Sequence, residues 1–233
     1  MAYVLGFMFA DGSLVDSNAS SRTYYLSFTN NDLDLLTQIK DALSSNHKIY
    51  TRAPRVMFHK NCKYVSKRGY VLRIGNKEMY NDLIMLGLGH RKSNTMNFPN
   101  VPSDYFSFFL RGYFDGDGCV SFYLGPTRHV YALRVAFTSG SIAFLNDLSA
   151  TLGTRLGIYS VRAYVTRGAY NLVFRGLGAL TILDFIYLHE NKAPFLKYKY
   201  EKYLHFKDDL MGPRLRASLV RRDRDRQQFL GVT

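Results

Sequence analysis

One motif occurs twice in the chain, as LGFMFADG at residues 5–12 and as RGYFDGDG at residues 111–118. In each copy an aspartate lies five residues after a glycine and is itself followed by glycine. The copies are 106 residues apart, and two later landmarks recur in the same order. These are Phe-Thr at 28–29 and 137–138, and a late lysine at Lys92 and Lys199. Nearly constant spacing predicts two tandem copies of one fold.

Each copy has the same order of predicted elements. A mostly apolar helix ends at Asp11 or runs from Asp104 to Asp117, and alternating strands follow the glycine after it. The spacing of apolar residues then predicts an amphipathic helix with an acidic first turn from Asp32 to Leu43, and the pattern recurs from Ser141 to Leu148. The remaining predictions are strands near 48–58, 70–75, 156–165 and 169–175, and helices at 77–87 and 177–188.

The predicted fold class is α+β, with two pseudo-symmetric αββαββα halves. The N-terminal half spans residues 1–96, a Pro-punctuated linker spans 97–103, and the C-terminal half spans 104–207. Ser103 or Asp104 is suited to cap the helix after the linker. Residues 208–233 are rich in arginine and poor in apolar anchors, so we interpret them as a solvated or disordered basic tail.

Composition restricts the classes of partner. The chain has 233 residues, 47% of them apolar, and a formal net charge of +13, which suits a polyanion such as nucleic acid. No window is apolar enough to span a membrane, and no signal peptide is evident, so we expect an intracellular protein. The sequence does not distinguish a bacterial cytoplasm from an organelle. Two cysteines are too few for a disulfide framework.

The repeated motif has a structural and a chemical interpretation. Gly6 and Ala10, like their counterparts Gly112 and Gly116, lie four residues apart and share one helix face, which lets two helices approach closely. A pseudo-twofold axis through these faces places Asp11 and Asp117 side by side. Adjacent carboxylates at helix C-termini require a compensating cation, and Mg²⁺ accepts carboxylate, water and phosphate ligands. The alternative is that each aspartate only caps the next turn.

At these residues the sequence resembles the LAGLIDADG homing endonucleases, in their single-chain form with two motifs. The resemblance implies antiparallel sheets that form a saddle over double-stranded DNA, and cleavage of both strands at a long asymmetric site. It implies that Asp11 and Asp117 are the metal-binding catalytic acids; whether the backbone at position 10 adds a ligand is left open. Phe9 replaces an acid of the family motif, at a position packed in the helix interface.

The resemblance also implies polar residues after the second strand of each half and a late lysine in each half. The Phe-Thr landmark assigns Asn30 and Ser139, and the lysine landmark assigns Lys92 and Lys199. Two alternatives stay open. Asn30 and Ser139 are equally suited to cap the following helix, and Lys197 is close enough to Lys199 for a register error.

Base contacts are expected from strand residues opposite the core, since arginine binds guanine through two hydrogen bonds. Alternation nominates Ser13, Val15, Ser17, Ser27, Arg73, Ser121, Tyr123, Arg134, Arg162 and Arg175. Any of these side chains is also suited to solvent or a phosphate.

Because both motifs lie in one chain, we expect a monomer without an obligate protein partner, encoded within an intron. Two other functions remain as alternatives: an RNA maturase that assists splicing of a group I intron, and a non-catalytic DNA-binding regulator.

Overall fold

A computed structural model of the chain describes residues 1–16, 24–59, 62–89, 96–124, 130–166 and 168–229. The first half contains α1 (Ala2–Ala10), β1 (Ser13–Asp16), β2 (Tyr24–Asn30), α2 (Leu33–Ala42), β3 (Ile49–Arg52), β4 (Val56–His59), β5 (Cys62–Val65), β6 (Gly69–Gly75) and α3 (Lys77–Met85). The second half contains α4 (Ser103–Asp117), β7 (Gly118–Leu124), β8 (Tyr131–Ser139), α5 (Ile142–Leu156), β9 (Tyr164–Thr166), β10 (Ala169–Arg175) and α6 (Gly176–Tyr187). Two more α-helices follow, α7 (Lys197–His205) and α8 (Pro213–Phe229), with a 3-10 helix at Glu190–Lys192 before α7 and a π-helical segment at Phe206–Leu210 after it.

Both halves have the same antiparallel sheet topology. The strand order is β1-β2-β6-β3 in the first half and β7-β8-β10-β9 in the second. In each sheet the apolar side chains at every second position of a central strand belong to the core, as Leu26 and Phe28 do in β2 and Val135 and Phe137 do in β8. The α+β class and the αββαββα order of each half are confirmed.

A separate hairpin, β4–β5, interrupts the strand predicted near 48–58. The prediction of one strand there was wrong. β3 ends at Arg52, and Pro54 follows two residues later. Proline has no N–H to donate to the ladder, so pairing with β6 stops and the chain leaves the sheet.

The strand predicted near 156–165 is largely absent from the structure. Helix α5 continues to Leu156, and Gly157 ends it in the left-handed conformation, with φ of 60°. The Ser149 hydroxyl then donates to the Val161 carbonyl at 2.8 Å and accepts from the Val161 N–H at 2.9 Å. Because Val161 has both backbone groups bonded to α5, Arg162 lies in a coil before β9.

Helices α1 and α4 cross at the centre of the molecule, and their contacts follow the sequence repeat. A Cβ atom built on Gly6 would overlap the Phe109 carbonyl oxygen, and one built on Gly112 would overlap the Tyr3 carbonyl oxygen. Residues 3 and 109 are themselves equivalent in the two copies, so each glycine meets the same position of the other helix. This reciprocity indicates a pseudo-twofold axis between the halves.

The linker is anchored rather than loose. Phe98 packs against Phe106, Phe109 and Phe144, with ring centroids 6.2, 5.9 and 5.3 Å away. Helix α4 begins at Ser103, the last residue assigned to the linker, and Pro102 precedes it without a side-chain cap. The expected cap by Ser103 or Asp104 is therefore wrong. Proline fixes the backbone dihedral φ and orients the chain into the first turn.

The basic tail departs from the prediction, because residues 213–229 form helix α8. Leu215 and Leu219 pack against the core, and they are the apolar anchors that hold its first two turns. Arg216 fixes the start of the helix by donating to the Met211 carbonyl at 2.9 Å and the Asp208 carbonyl at 3.0 Å. No helix in the described part of the chain is long and apolar enough to cross a membrane.

Candidate active site

Asp11 and Asp117 lie at the C-terminal ends of the two crossing helices. Asp11 is the C-cap of α1 and is exposed, whereas Asp117 is the last residue of α4 and is half-buried. A Cβ atom on Gly116 would lie 3.2 Å from the Asp11 N atom, so the two helix ends touch. The repeat therefore brings the two motif acids to one place, as the sequence predicted.

The carboxylates of Asp11 and Asp117 both affect the pKa values of two buried groups, Tyr113 and Lys199. Burial raises the pKa of Tyr113 above its usual value, with further contributions from Asp117 and then Asp11, while a hydrogen bond with Ser139 opposes the shift. Burial lowers the pKa of Lys199, and Asp115, Cys119, Asp11 and Asp117 oppose that shift.

Each acid lines its own cavity, and the two cavities are built from equivalent residues. The smaller, which we call the Asp117 pocket, has a volume of about 150 Å³ and is lined by Phe9, Ala10, Met96, Asp117, Thr138, Ser139, Gly140 and Ala169. The larger, the Asp11 cleft, has a volume of about 860 Å³, and its lining includes Asp11, Thr29, Asn30, Asp32, Asp34, Arg52, Lys67, Tyr70, Asp115, Gly116, Leu196 and Tyr198. Each cavity therefore contains the acid of one motif and the small residue that precedes the acid of the other motif, Ala10 or Gly116. The polar residue at the end of the second strand of the same half, Ser139 or Asn30, completes the lining.

Asn30 and Ser139 occupy matching positions in these cavities. The Asn30 side chain accepts from the Asp32 N–H at 2.9 Å, and the Ser139 hydroxyl accepts from the Ser141 N–H at 3.1 Å. The alternative interpretation of both as helix N-caps is wrong, because the caps are Asp32 and Ser141. The side chains of Asn30 and Ser139 instead accept the backbone N–H of the cap residue, and both residues line the cavities from the strand ends.

Lys199 is buried beneath the end of α4. Its ammonium donates to the carbonyl oxygens of Phe114 at 2.6 Å, Asp115 at 2.9 Å and Gly118 at 2.6 Å. A cation at a helix C-terminus stabilises the exposed carbonyls and the negative end of the dipole. Lys197 is instead exposed, with Glu201 3.9 Å away, so of these two lysines it is Lys199 that contacts the end of α4. Lys92 lies outside the described residues.

Sequence reasoning missed Asp115. Its carboxylate is 1% exposed, and Oδ2 accepts from the Tyr3 hydroxyl at 2.7 Å and from the Leu196 N–H at 2.8 Å. Its other oxygen, Oδ1, has no hydrogen-bond partner. Burial raises the pKa of Asp115 to about 6, while Lys199, Tyr3, Leu196 and Arg111 oppose the shift. The sequence did contain one indication of Asp115: the equivalent position of the first motif is Phe9, so the two copies of the motif differ there.

The late segment of each half crosses to the cavity of the other half. Leu196 and Tyr198, which follow α6, line the Asp11 cleft, and the Phe195 N–H donates to the Gln38 side chain of α2 at 3.1 Å. In the opposite direction, Met96 lines the Asp117 pocket, and its carbonyl accepts from the Ser141 hydroxyl at 2.7 Å. Neither half therefore builds its cavity alone.

The nominated base-contacting residues form rows across the open faces of the sheets. Ser13, Ser27 and Arg73 are paired directly across β1, β2 and β6. Ser121, Arg134 and Arg175 are paired across β7, β8 and β10 in the same way. Directly paired residues point to one face of a sheet, so each row presents hydroxyl and guanidinium groups together.

The other nominated residues are less uniform. Val15 and Tyr123 are exposed on the same faces, whereas Ser27 is only 6% exposed between its neighbours. Arg162 is exposed but lies in the coil before β9, so its nomination as a strand residue was wrong. Ser17 lies outside the described residues.

The donor set fits a hard divalent cation that keeps part of its water shell. Carboxylate oxygens are the ligands that Mg²⁺ prefers, and Asp11 and Asp117 supply one from each motif. Within the described residues no three His, Cys, Asp or Glu side chains converge as a metal-binding group. A cation here would therefore take its remaining ligands from water, backbone or a bound phosphate.

Residues 106–187 match the sequence model of the LAGLIDADG-like domain. Among solved structures, the I-LtrWI LAGLIDADG homing endonuclease bound to target DNA is 15% identical, with 94% of this chain and 95% of that chain covered and a TM-score of 0.55. The chain has the LAGLIDADG homing endonuclease fold. The I-GzeII LAGLIDADG homing endonuclease in complex with DNA target has 14% identity, coverage of 88% for both chains and a TM-score of 0.55. The meganuclease I-SmaMI bound to uncleaved DNA target in the presence of calcium ions has 16% identity, coverage of 93% and 95%, and a TM-score of 0.55. A comparison with curated proteins returns no match.

Proposed function

We propose that this protein is a site-specific endonuclease that hydrolyses both strands of a long, asymmetric DNA target. The observation that carries the proposal is the pair of equivalent cavities, each lined by the acid of one motif and by residues of the other motif. Three solved structures of the same fold contain DNA, and two of them are described as homing endonucleases. A formal charge of +13 suits the phosphate backbone of a duplex.

The chain supplies positioning and charge. The rows that contain Arg73, Arg134 and Arg175 orient the duplex over the two sheets, so that each scissile phosphate reaches one cavity. Asn30 and Ser139 lie beside the acids, where their polar atoms orient solvent near the phosphate. Lys199 holds the end of α4, and Lys92 is proposed as its counterpart for the other strand.

Asp11 and Asp117 are proposed as the residues that hold divalent cations, with Mg²⁺ as the physiological ion. A cation bound there supplies an activated water and neutralises charge on the leaving oxygen. Asp11 is exposed and Asp117 is half-buried, so both are accessible to a substrate. Because both motifs lie in one chain, we propose that the protein acts as a monomer, and the different residues of its two open faces suit an asymmetric site.

Two other functions share the fold. A maturase would bind intron RNA and assist its splicing, and a regulator would bind DNA without cutting it. Both motif acids are present in this chain, and both line cavities, which favours the nuclease over either alternative.

The decisive experiment uses DNA from either side of the gene, joined without the intervening sequence and placed in a plasmid. With Mg²⁺, the wild-type protein is expected to linearise this plasmid, and Asp11→Asn and Asp117→Asn are expected to bind it without linearising it. Binding without cleavage by the wild-type protein would favour the regulator. Splicing assistance without cleavage would favour the maturase.

A further inference from the structure

The β4–β5 hairpin leaves the first sheet at the rim of the Asp11 cleft. Strands β3 and β6 are paired up to Arg52 and Gly69, and the hairpin is inserted between these two residues. Arg52 precedes the hairpin and Lys67 follows it, and both residues line the cleft. The hairpin is therefore attached beside one of the two proposed cleavage positions.

The second half has a tight turn at the equivalent place. Strands β9 and β10 are paired up to Thr166 and Ala169, which leaves two connecting residues, 167 and 168. The pairing of Thr166 with Ala169 corresponds to the pairing of Arg52 with Gly69, but the connection in the first half is residues 53–68. The hairpin is thus an addition to the Asp11 side of the molecule.

One face of the hairpin is apolar and open to solvent. Val56 is paired with Val65, and Phe58 with Lys63, so these four side chains point to the same face. Phe58 is 74% exposed, Val65 is 63% exposed and Val56 is 52% exposed. A two-stranded hairpin alone is only marginally stable in water, and a contiguous exposed apolar patch is typical of an interaction site. The three apolar residues, which we call the hairpin face, are therefore suited to contact a partner.

The charge of the surrounding segment indicates the kind of partner. The sequence contains no acidic residue between Asp41 and Glu78. Its basic residues in this interval are Lys48, Arg52, Arg55, Lys60, Lys63, Lys67, Arg68, Arg73 and Lys77. A second copy of the hairpin would place cations against cations, and lysine on a strand edge opposes pairing between edges. A chain of phosphates complements this charge.

We propose that the β4–β5 hairpin is a DNA-binding arm that holds the duplex on the Asp11 side of the target. Its cations contact phosphates, and the hairpin face packs against sugars and bases in a groove, as apolar side chains of minor-groove binding proteins do. The inference rests on the proposed nuclease function. It adds to the contacts of the two sheets a contact that the first half makes beside its own cavity.

The second half supplies the design of a deletion variant. Residues 53–68 are replaced by Arg-Gly, the sequence at 167–168, so that β3 and β6 keep the pairing of Arg52 with Gly69. Thermal unfolding checks that this variant folds. Binding is measured by fluorescence anisotropy in the presence of a chelator, so that no strand is cut.

Two duplexes of equal length serve as probes: the joined DNA from either side of the gene, and a random sequence. The deletion variant is expected to bind both duplexes at least about tenfold more weakly than the wild-type protein. The slope of log affinity against log salt concentration is expected to fall by about 1 for each phosphate contact that is lost.

Two single substitutions separate the apolar contact from the charged contact. Phe58→Ser is expected to weaken binding by about tenfold or more at an unchanged salt slope, because it removes apolar area alone. Lys63→Ala is expected to lower the salt slope by about 1. Both side chains are exposed, so both variants are expected to fold even if the deletion variant does not.

Matched controls come from helices outside the hairpin. Met85→Ser removes an apolar side chain that is 85% exposed at the end of α3, and Lys40→Ala removes a cation of α2. Both controls are expected to bind as the wild-type protein does. If Phe58→Ser and Lys63→Ala are indistinguishable from these controls, or if the folded deletion variant keeps its affinity and salt slope, the proposal is overturned.

Hydroxyl-radical protection of the joined duplex locates the arm. The wild-type protein is expected to protect backbone positions on one side of the centre that the deletion variant leaves open. Protection lost equally on both sides would contradict the placement of the hairpin beside the Asp11 cleft. Sedimentation is the remaining measurement: a wild-type dimer that Phe58→Ser dissociates, with DNA binding unchanged, would assign the hairpin face to a second copy of the chain.

The two probes distinguish failure of this inference from failure of the proposed function. Equal affinity of the wild-type protein for both duplexes contradicts a site-specific endonuclease, and the variants then decide the role of the hairpin from their binding to the random sequence. Absence of binding to either duplex contradicts both proposals.

Discussion

Lys199 donates a hydrogen bond of 2.6 Å to the carbonyl oxygen of Gly118, the residue that follows the second motif acid. Two further hydrogen bonds, to Phe114 and Asp115, occupy the other ammonium protons. The ammonium therefore holds the helix end that carries Asp117 and lies within the influence of both acids. The hydrogen bonds of Lys199 therefore connect the stability of this helix end to the position of Asp117.

Replacement of Lys199 by methionine is expected to lower the free energy of unfolding by about 3 kcal/mol, because three buried carbonyl oxygens lose their donor. Urea denaturation measures this loss. Lys202→Met on the exposed side of the same helix is the control and is expected to change stability by less than about 0.5 kcal/mol.

Strand-resolved cleavage is expected to show a second effect of Lys199→Met, the accumulation of nicked duplex. Lys92→Met is expected to favour nicks in the opposite strand, because the pseudo-twofold axis assigns one late lysine to each strand. Gels of a duplex labelled on both strands measure this. Equal slowing of both strands in both variants would refute the paired assignment.

Alanine at Gly112 is expected to destabilise the protein by about 3 kcal/mol or more, since its Cβ would overlap the Tyr3 carbonyl oxygen on the facing helix. Gly178 in α6 has no atom within 4 Å of the equivalent built position. Gly178→Ala is therefore expected to leave stability unchanged or raise it by up to about 1 kcal/mol. Similar thermal unfolding of the two variants would contradict the close crossing of α1 and α4.

Asp115 is expected to make stability depend on pH. Its pKa is raised to about 6 in the folded protein, so folding favours the protonated form, and the wild-type protein loses stability as pH rises from about 4 through 6. The shift corresponds to about 3 kcal/mol. Without divalent cations, Asp115→Asn is expected to be more stable than wild type at pH 7 and equally stable near pH 4. Denaturation curves at these pH values measure the difference, and parallel pH profiles would contradict the prediction.

Arg134 and Arg175 are neighbours across β8 and β10, and we expect both to contact DNA. Loss of a specific base contact weakens the binding free energy by about 1–3 kcal/mol. Loss of a phosphate contact instead reduces the slope of log affinity against log salt concentration by about 1. Fluorescence anisotropy of the single alanine variants at several salt concentrations distinguishes these roles. Lys40→Ala in α2, behind the first sheet, is the control, and equal affinity of all variants would remove both arginines from the interface.

The fold was predictable from the sequence where the two copies agree. Gly6 and Gly112 have the same partners in reciprocal positions, so one repeated pattern determined both the helix crossing and the pairing of Asp11 with Asp117. Elements that only one copy contains were not predictable by this route. The β4–β5 hairpin has no counterpart among the described residues of the second half, and α8 follows the last repeated landmark.

The site was predicted to a similar extent. Asn30 and Ser139 were placed by the strand landmark, although the alternative that they cap the following helices was wrong, because the caps are Asp32 and Ser141. Asp115 was missed because its environment depends on contacts over 81 and 112 residues, with Leu196 and Tyr3. Such contacts leave no local pattern. Arg162 was assigned to a strand because alternation cannot reveal that Ser149 binds the backbone of Val161.

The crossed late segments restrict how such a protein can be recombined. Phe195 is hydrogen-bonded to Gln38, and Met96 is hydrogen-bonded to Ser141. In a chimera of two such proteins joined at the linker, part of the lining of each cavity would therefore come from the other parent protein. An exchange that preserves both cavities must move residues 193–199 together with the N-terminal half, and the segment around Met96 together with the C-terminal half. The functional module of this molecule is therefore discontinuous along the chain, and specificity engineering should respect that boundary.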